Sequence, residues 1–274
     1  MPNVNETVEV ARKVLPIIYV LDTSGSMIGE PIGAVNEAMS ETMEVLRDIS
    51  AHNPDAEIKV GVLKFSTNAE WVTNGLVFLD DFFWDDLRAG GTTEVATALT
   101  ALHDKLSRSE FLVSDTGFCV PVLIFMSDGE PTDPGVWESK LEWVKNNNKW
   151  FRYATKIALA VGVHADKNCL AELVGSIEAV AEVDDLETLK TLIKVASMTA
   201  SKMNSKSRTT ADSGSGADIL REVKKQLDNP DSVQVGADDA DPWTNWDQQS
   251  SGTSTTNPTS GGGDWGGDDD GGWN

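Results

Sequence analysis

Three short stretches carry the side chains able to do chemistry, and every one of those side chains is an oxygen donor. In "YVLDTSGSMIGEPI" (19–32) an apolar run ends in Asp22, followed at once by Ser24 and Ser26. In "AGGTTEVATAL" (89–99) Gly90 and Gly91 form a loop ahead of Thr93. In "VLIFMSDGEPTD" (122–133) a second apolar run ends in Asp128. A carboxylate at the end of a buried strand loses hydration, which is costly unless something repairs it. Three hydroxyls and two carboxylates, with no soft ligand among them, suit Mg²⁺ or Mn²⁺. Ser24, Ser26 and Thr93 read as direct ligands; Asp22 and Asp128 read as ligands either directly or through water. Weakly donating hydroxyls leave such an ion electrophilic, so it favours one more anionic ligand. Taken singly, each stretch also has a bland reading. Asp22 would cap the following helix, Gly90-Gly91 would be a tight turn, and Asp128-Gly129 a plain turn.

The elements that must bring these stretches together alternate between two periodicities. "VLPIIYVLD" (14–22), "AEIKVGVLKFS", "VPVLIFMSD", "ATKIALAVGV" (154–163) and "EAVAEV" read as strands, with "EWVTN" and "LVFLD" as shorter pieces. Between them, 30–50 places Ile32, Val35, Met39, Met43 and Leu46 at helical spacing, with Pro31 in the first turn. "TTEVATALTALHDKLSR", "PGVWESKLEWVKNNNKW", "KNCLAELVGS" and "DLETLKTLIKVASMTASKM" read as further helices. Strand–helix alternation of this length predicts right-handed crossovers: a doubly wound, Rossmann-like, mostly parallel sheet of about six strands with helices on both faces. In such a sheet ligands bind beyond the carboxyl ends of the strands, where the strand order reverses. All three oxygen-bearing stretches should arrive there.

That domain is expected over 14–204, followed by a linker at 205–227 holding one short helix around 217–227. From 228 to 274 there are ten aspartates, no lysine or arginine, and four tryptophans among Gly, Ser and Thr. This composition buries too little apolar surface to offset the entropy of ordering, so a disordered acidic tail is expected. The formal charge of −22 argues against nucleic acid or an anionic membrane as the main partner. The start of the sequence lacks a basic region followed by a long apolar run, so a cytoplasmic location is expected. Cys119 and Cys169 read as buried free thiols, and three histidines cannot build a zinc site with them.

"DTSGS", "GGTT" and "SDG" resemble, in order and spacing, the metal-ion-dependent adhesion site (MIDAS) of von Willebrand factor type A domains. The resemblance covers about residues 14–204. It places Asp22, Ser24 and Ser26 as the D-x-S-x-S ligands. Thr93 becomes the loop threonine, because T-x-x-x-x-A-L aligns from it, and Asp128 the second aspartate. Where the family often has glycine, this chain has Ala96, in the helix and away from the ligands. "LDTSGSMIGEPIGAVNEAM" is most similar to the bacterial TerY-type branch, associated with tellurium resistance and stress. The resemblance implies a protein-binding module with Mg²⁺ or Mn²⁺ as cofactor, whose partner donates an Asp or Glu carboxylate to the metal. It also implies a scaffolding or regulatory role beside protein kinases, PP2C-type phosphatases and TerD-like proteins.

An enzyme is not expected. A haloacid-dehalogenase site needs a second aspartate where Ser24 stands, and neither G-x-S-x-G nor G-x-x-x-x-G-K-[ST] occurs. His164 follows a strand end and has no visible activating partner. Two rival classes stay open: a phosphohydrolase polarising a phosphoryl oxygen with the same metal, and a self-assembling subunit whose acidic tail binds the next copy. Trp137, Trp143 and Trp150 read as packing residues of one helix, and "FFW" at 82–84 either rims the metal site or packs in the core. Asp133 reads as surface solvation, with tuning of the nearby site as the alternative. In the tail, Trp243, Trp246, Trp265 and Trp273 look like acidic–aromatic motifs docking on basic apolar grooves. Alternatives are an internal metal ligand and a kinase target in the eight Ser/Thr between Ser250 and Ser260. A single Gly-Asp stretch resembling calcium repeats cannot build a roll.

Overall fold

The computed structural model describes residues 12–128, 131–162, 165–183, 186–205 and 214–228. Gly129, His164 and the tail expectations on the four tryptophans and the Ser250–Ser260 cluster lie outside the described residues. β1 (Lys13–Asp22) is buried along all but its first residue, because it has parallel partners on both sides and helices on both faces. β2 (Ala56–Phe65) lies on one side, with Asp22 opposite Phe65. β5 (Val122–Ser127) lies on the other, with Leu21 opposite Met126. β6 (Thr155–Val161) and β7 (Val180–Val183) continue in parallel beyond β5. The short β3 (Ala69–Trp71) and β4 (Val77–Phe78) pair antiparallel with β2. The order is β3-β2-β1-β5-β6-β7, with β4 also on β2. The fold is therefore the expected doubly wound α/β sheet, and its strand order reverses beside β1.

Alternation along β1 assigns the two faces. Ile18 and Val20 share a core with α2 (Val95–Lys105), α3 (Val136–Asn147) and α5 (Lys167–Val174). Tyr19 points the other way, to α6 (Leu186–Ser205), where its hydroxyl lies 2.7 Å from Ser197 Oγ. Ser197 spends its own proton on the Ile193 carbonyl, so Tyr19 is the donor of that pair. α1 (Glu30–His52) packs on α6 on the same face. Cys119 and Cys169 are free and buried, and burial pushes the Cys169 thiol up to about 12.

One expectation needs correction, and two others are filled in. The helix expected across "PGVWESKLEWVKNNNKW" breaks at Asn148 into α3 and α4 (Lys149–Tyr153). Asn148 donates from its amide to the His103 and Leu106 carbonyls, while its Oδ1 accepts from Phe151 N–H. A side chain that bonds backbone in this way competes with helix continuation. The short helix expected around 217–227 is present as α7 (Gly216–Asp228), and its Ile219, Leu220 and Val223 are buried. α7 packs on β6, β7 and α6. A Cβ at Gly216 would overlap the Lys156 carbonyl, so glycine admits the helix start at that approach. Finally, "FFW" does not rim the crevice. Arg47 holds the Leu79 and Phe82 carbonyls from α1, 17 residues beyond the helix start. That is about 25 Å along the axis from its site-proximal end. Phe82 is buried there, and Trp84 sets its ring edge-on to it at 6.3 Å.

Replacing Asn148 with alanine removes the α4 cap and orphans two buried carbonyls. Urea unfolding should show a loss of about 2–3 kcal/mol; a loss below about 0.5 kcal/mol would show that water substitutes for the amide.

Candidate metal centre

β1 delivers Asp22 into the crevice almost wholly buried. Its Oδ1 accepts from the Ser24 N–H at 2.8 Å, and its Oδ2 accepts from Ser127 Oγ at 2.5 Å. The helix-capping reading of Asp22 is therefore wrong: its acceptors are spent on the adjacent turn and on β5. Burial raises the Asp22 carboxyl above the usual carboxylate range, the hydrogen bonds from Ser127 and Ser24 pull it back, and the charge of Asp128 pushes it up again. Asp128 is thus close enough for its field to act on Asp22.

The turn after β1 presents two hydroxyls side by side, Ser24 Oγ and Ser26 Oγ, hydrogen-bonded to each other at 3.0 Å. Two oxygens on adjacent corners of an octahedron with bonds of about 2.1 Å are themselves about 3.0 Å apart. The pair is spaced as one edge of such a coordination shell. Among the described residues no three His, Cys, Asp or Glu side chains converge. The donor set at this pole is hydroxyl-rich, the type that suits a hard cation.

Thr93 is fixed by backbone rather than by its own hydroxyl. Gly25 N–H donates to the Gly91 carbonyl at 2.9 Å, and Gly90 N–H donates to the Thr23 carbonyl at 2.7 Å. This two-bond clasp sets the loop before α2 directly on the DTSGS turn. It requires glycine at 91, where φ is +92° and a Cβ would stand 2.6 Å from Thr67 Oγ1. Thr93 then exchanges bonds with Thr132: its N–H donates to Thr132 Oγ1 at 3.0 Å, and its carbonyl accepts from Thr132 N–H at 2.9 Å. Thr93 is buried to 4% exposure.

Sequence reasoning missed the residues that hold this arrangement. Asp133, expected on the surface, is buried, and its carboxylate accepts from Val95 and Ala96 N–H at 3.2 and 2.9 Å. It caps α2 from another loop, where the helix dipole favours negative charge. Ser127 and Thr132 were missed as well. Their partners lie 105 and 39 residues away, a separation that no local pattern signals. The structure thus gathers Asp22, Ser24, Ser26, the Thr93 loop and Asp128 at the carboxyl ends of β1 and β5.

No protein-family model matches the chain, and no curated protein matches it. Solved structures do. Proximal thread matrix protein 1 from the mussel byssus, solved with a zinc-occupied MIDAS motif, is 20% identical with a TM-score of 0.51, covering 67% of this chain and 47% of that one. The pilus adhesin SpaC from Lactobacillus rhamnosus GG, in an open conformation, is 14% identical with a TM-score of 0.51, covering 66% of this chain and 29% of that one. The ArnB paralogue VWA2 from Sulfolobus acidocaldarius is 18% identical with a TM-score of 0.49, covering 68% and 46%. This chain spans less than half the length of each of these three, and the first two share its fold.

If Asp133 sets the α2 end of the site, Asp133→Ala should lower unfolding free energy by about 1–2 kcal/mol. Asp133→Asn, which keeps one acceptor, should recover part of that loss. Equal urea midpoints for all three proteins would deny the cap.

Proposed function

We propose that this chain is a von Willebrand factor type A module that binds an acidic group of another protein through a divalent cation. Ser24, Ser26 and Thr93 hold the ion, Mg²⁺ or Mn²⁺, with Asp22 and Asp128 acting directly or through water. The observation that carries the reading is the Ser24–Ser26 hydroxyl pair, 3.0 Å apart at the end of the central strand. Support comes from the shared fold with the mussel protein, whose MIDAS motif holds zinc. A bound cation would supply positive charge at an open coordination position, which a carboxylate completes.

The chain's own residues do the rest. Both Asp22 oxygens already accept protein hydrogen bonds, so its part is to orient Ser24 and balance charge; a carboxylate so placed tunes a metal without needing to touch it. The Thr132–Asp133 clamp presets Thr93, so little entropy is lost when the site fills. Ile28, two residues after Ser26, is 63% exposed and offers an apolar flank to an incoming partner. Binding rather than turnover is the proposed activity. The wider setting we propose is cytoplasmic: a scaffold or regulator of the TerY type, in a bacterial stress or tellurium-resistance system with kinase, PP2C-type phosphatase or TerD-like partners. Among the described residues no helix is long and apolar enough to cross a membrane.

Two measurements test this reading. Titration calorimetry with Mn²⁺ should show one site, weakened about 10–100-fold by Asp22→Ala. Pull-downs from native lysate, with wild type and Asp128→Ala, each with Mg²⁺ or chelator, should retain a partner only with wild type and Mg²⁺. The same partners in all four conditions would refute metal-bridged binding.

A further inference from the structure

Residues 143–165 contain no Asp or Glu, in a chain that has 44. Within this stretch lie the end of α3, α4 and β6, and the start of β6 lies at the pole opposite the candidate metal centre. The aromatics there do not behave as the packing residues the sequence implied. Trp137 is buried in the core, but Trp143 is 45% exposed and Tyr153 54%. Each exposed ring carries a cation. Lys140 Nζ lies 4.9 Å from the Trp143 centroid, and Arg152 lies 6.0 Å from the Tyr153 centroid. Trp150, half-buried against the core, is approached by Lys149 at 5.4 Å and by Arg108 at 5.6 Å.

The surface is also built rather than loose. Arg152 donates to the Lys145 and Asn146 carbonyls at the end of α3, and Asn148 ties the loop to the end of α2. The ion pairs nearby are Lys105–Glu110 and Lys145–Glu142. None of Arg108, Lys140, Lys149 and Arg152 is in an ion pair with a described residue. Lys156 turns its amine onto the Phe151 and Ala154 carbonyls rather than onto one of the exposed rings.

We propose that this face, centred on Trp143, Trp150, Arg152 and Tyr153, docks a short acidic, aromatic-bearing peptide segment of a partner protein, independently of the metal. Charge complementarity selects the occupant. Guanidinium and ammonium groups in no ion pair with a described residue favour carboxylates, and the cation-flanked rings favour an aromatic side chain laid between them. A chain of net charge −22 repels an extended polyanion such as a nucleic-acid duplex or an anionic membrane. A short acidic segment senses mainly what lies within the Debye length of about 8 Å at physiological salt, which here includes Arg108, Lys140, Lys149 and Arg152 beside the rings, with Glu142 paired to Lys145.

The test is fluorescence anisotropy of a fluorescein-labelled Asp-Trp-Gly repeat peptide with the full chain in EDTA. Saturable binding is expected, unchanged by Asp128→Ala. It should weaken about tenfold or more with Lys149→Glu plus Arg152→Glu, and also with Trp143→Ala, which keeps the charge and removes a half-exposed ring that packs on His103. The peptide with Asn for Asp should not bind. Because EDTA silences the metal centre, failure here leaves metal-bridged binding untouched, and a requirement for Mg²⁺ would overturn this proposal alone. Equal affinity for the charge-reversed protein or for the Asn peptide would also overturn it. So would a DNA duplex competing at lower concentration than unlabelled peptide. Self-association without peptide, abolished by the same charge reversals, would make a second copy the occupant instead.

Discussion

A carboxylate buried at the end of the central strand is the constraint around which this pole of the molecule is arranged. Left unpaired, the Asp22 charge would cost several kcal/mol in a low-dielectric setting. Two donors meet it, the Ser24 N–H from its own turn and the Ser127 hydroxyl from the neighbouring strand. Those bonds do more than repair desolvation. One folds the turn so that Ser24 and Ser26 stand side by side, and the other locks β1 to β5 just before Asp128. The residual cost still shows as a carboxyl held above its usual range. A cation beside it would relieve that cost, because the ion rewards the ionised form that burial penalises.

The sheet makes this economical. Since β1 lies between β2 and β5 and runs parallel to both, the loops after β1 and β5 emerge at the same edge. The third loop reaches that edge by a clasp of two backbone hydrogen bonds, Gly25 to Gly91 and Gly90 to Thr23. The glycines matter because backbone approaches backbone there, with Thr67 closing the far side. Rigid strands position two of the oxygen-bearing segments, and a clamped loop positions the third. On the proposed reading, these side chains would need little reorganisation on binding, as expected of a preorganised site.

The fold was readable because its signals are local and redundant: β-branched runs of strand length, helical spacing between them, and Pro31 at a helix start. The proposed ligand set was readable as a pattern because D-x-S-x-S compresses three of its five members into five residues. What stayed hidden depends on contacts between distant segments. Asp133 looks like any turn aspartate until its loop folds over the start of α2. Asn148 resembles its neighbours Asn146 and Asn147, yet it alone meets the His103 and Leu106 carbonyls at the end of α2 and so breaks a helix. α7 is amphipathic on inspection, but a helix behind a Ser/Thr/Gly-rich stretch gives no sign of where its apolar side is buried. Trp143 illustrates the opposite failure, for a tryptophan at helical spacing is usually core, and this one remains exposed over His103 and Lys140.

The account stands on Ser24 and Ser26 forming one edge of a cation's coordination shell. The most direct measurement is a crystal grown with Mn²⁺ and its anomalous difference map. A single strong peak is predicted within about 2.0–2.3 Å of both serine hydroxyl oxygens, on the Thr93 and Asp128 side of the turn. Full-occupancy Mn²⁺ elsewhere on the molecule, with the two serine hydroxyls still hydrogen-bonded to each other, would contradict it.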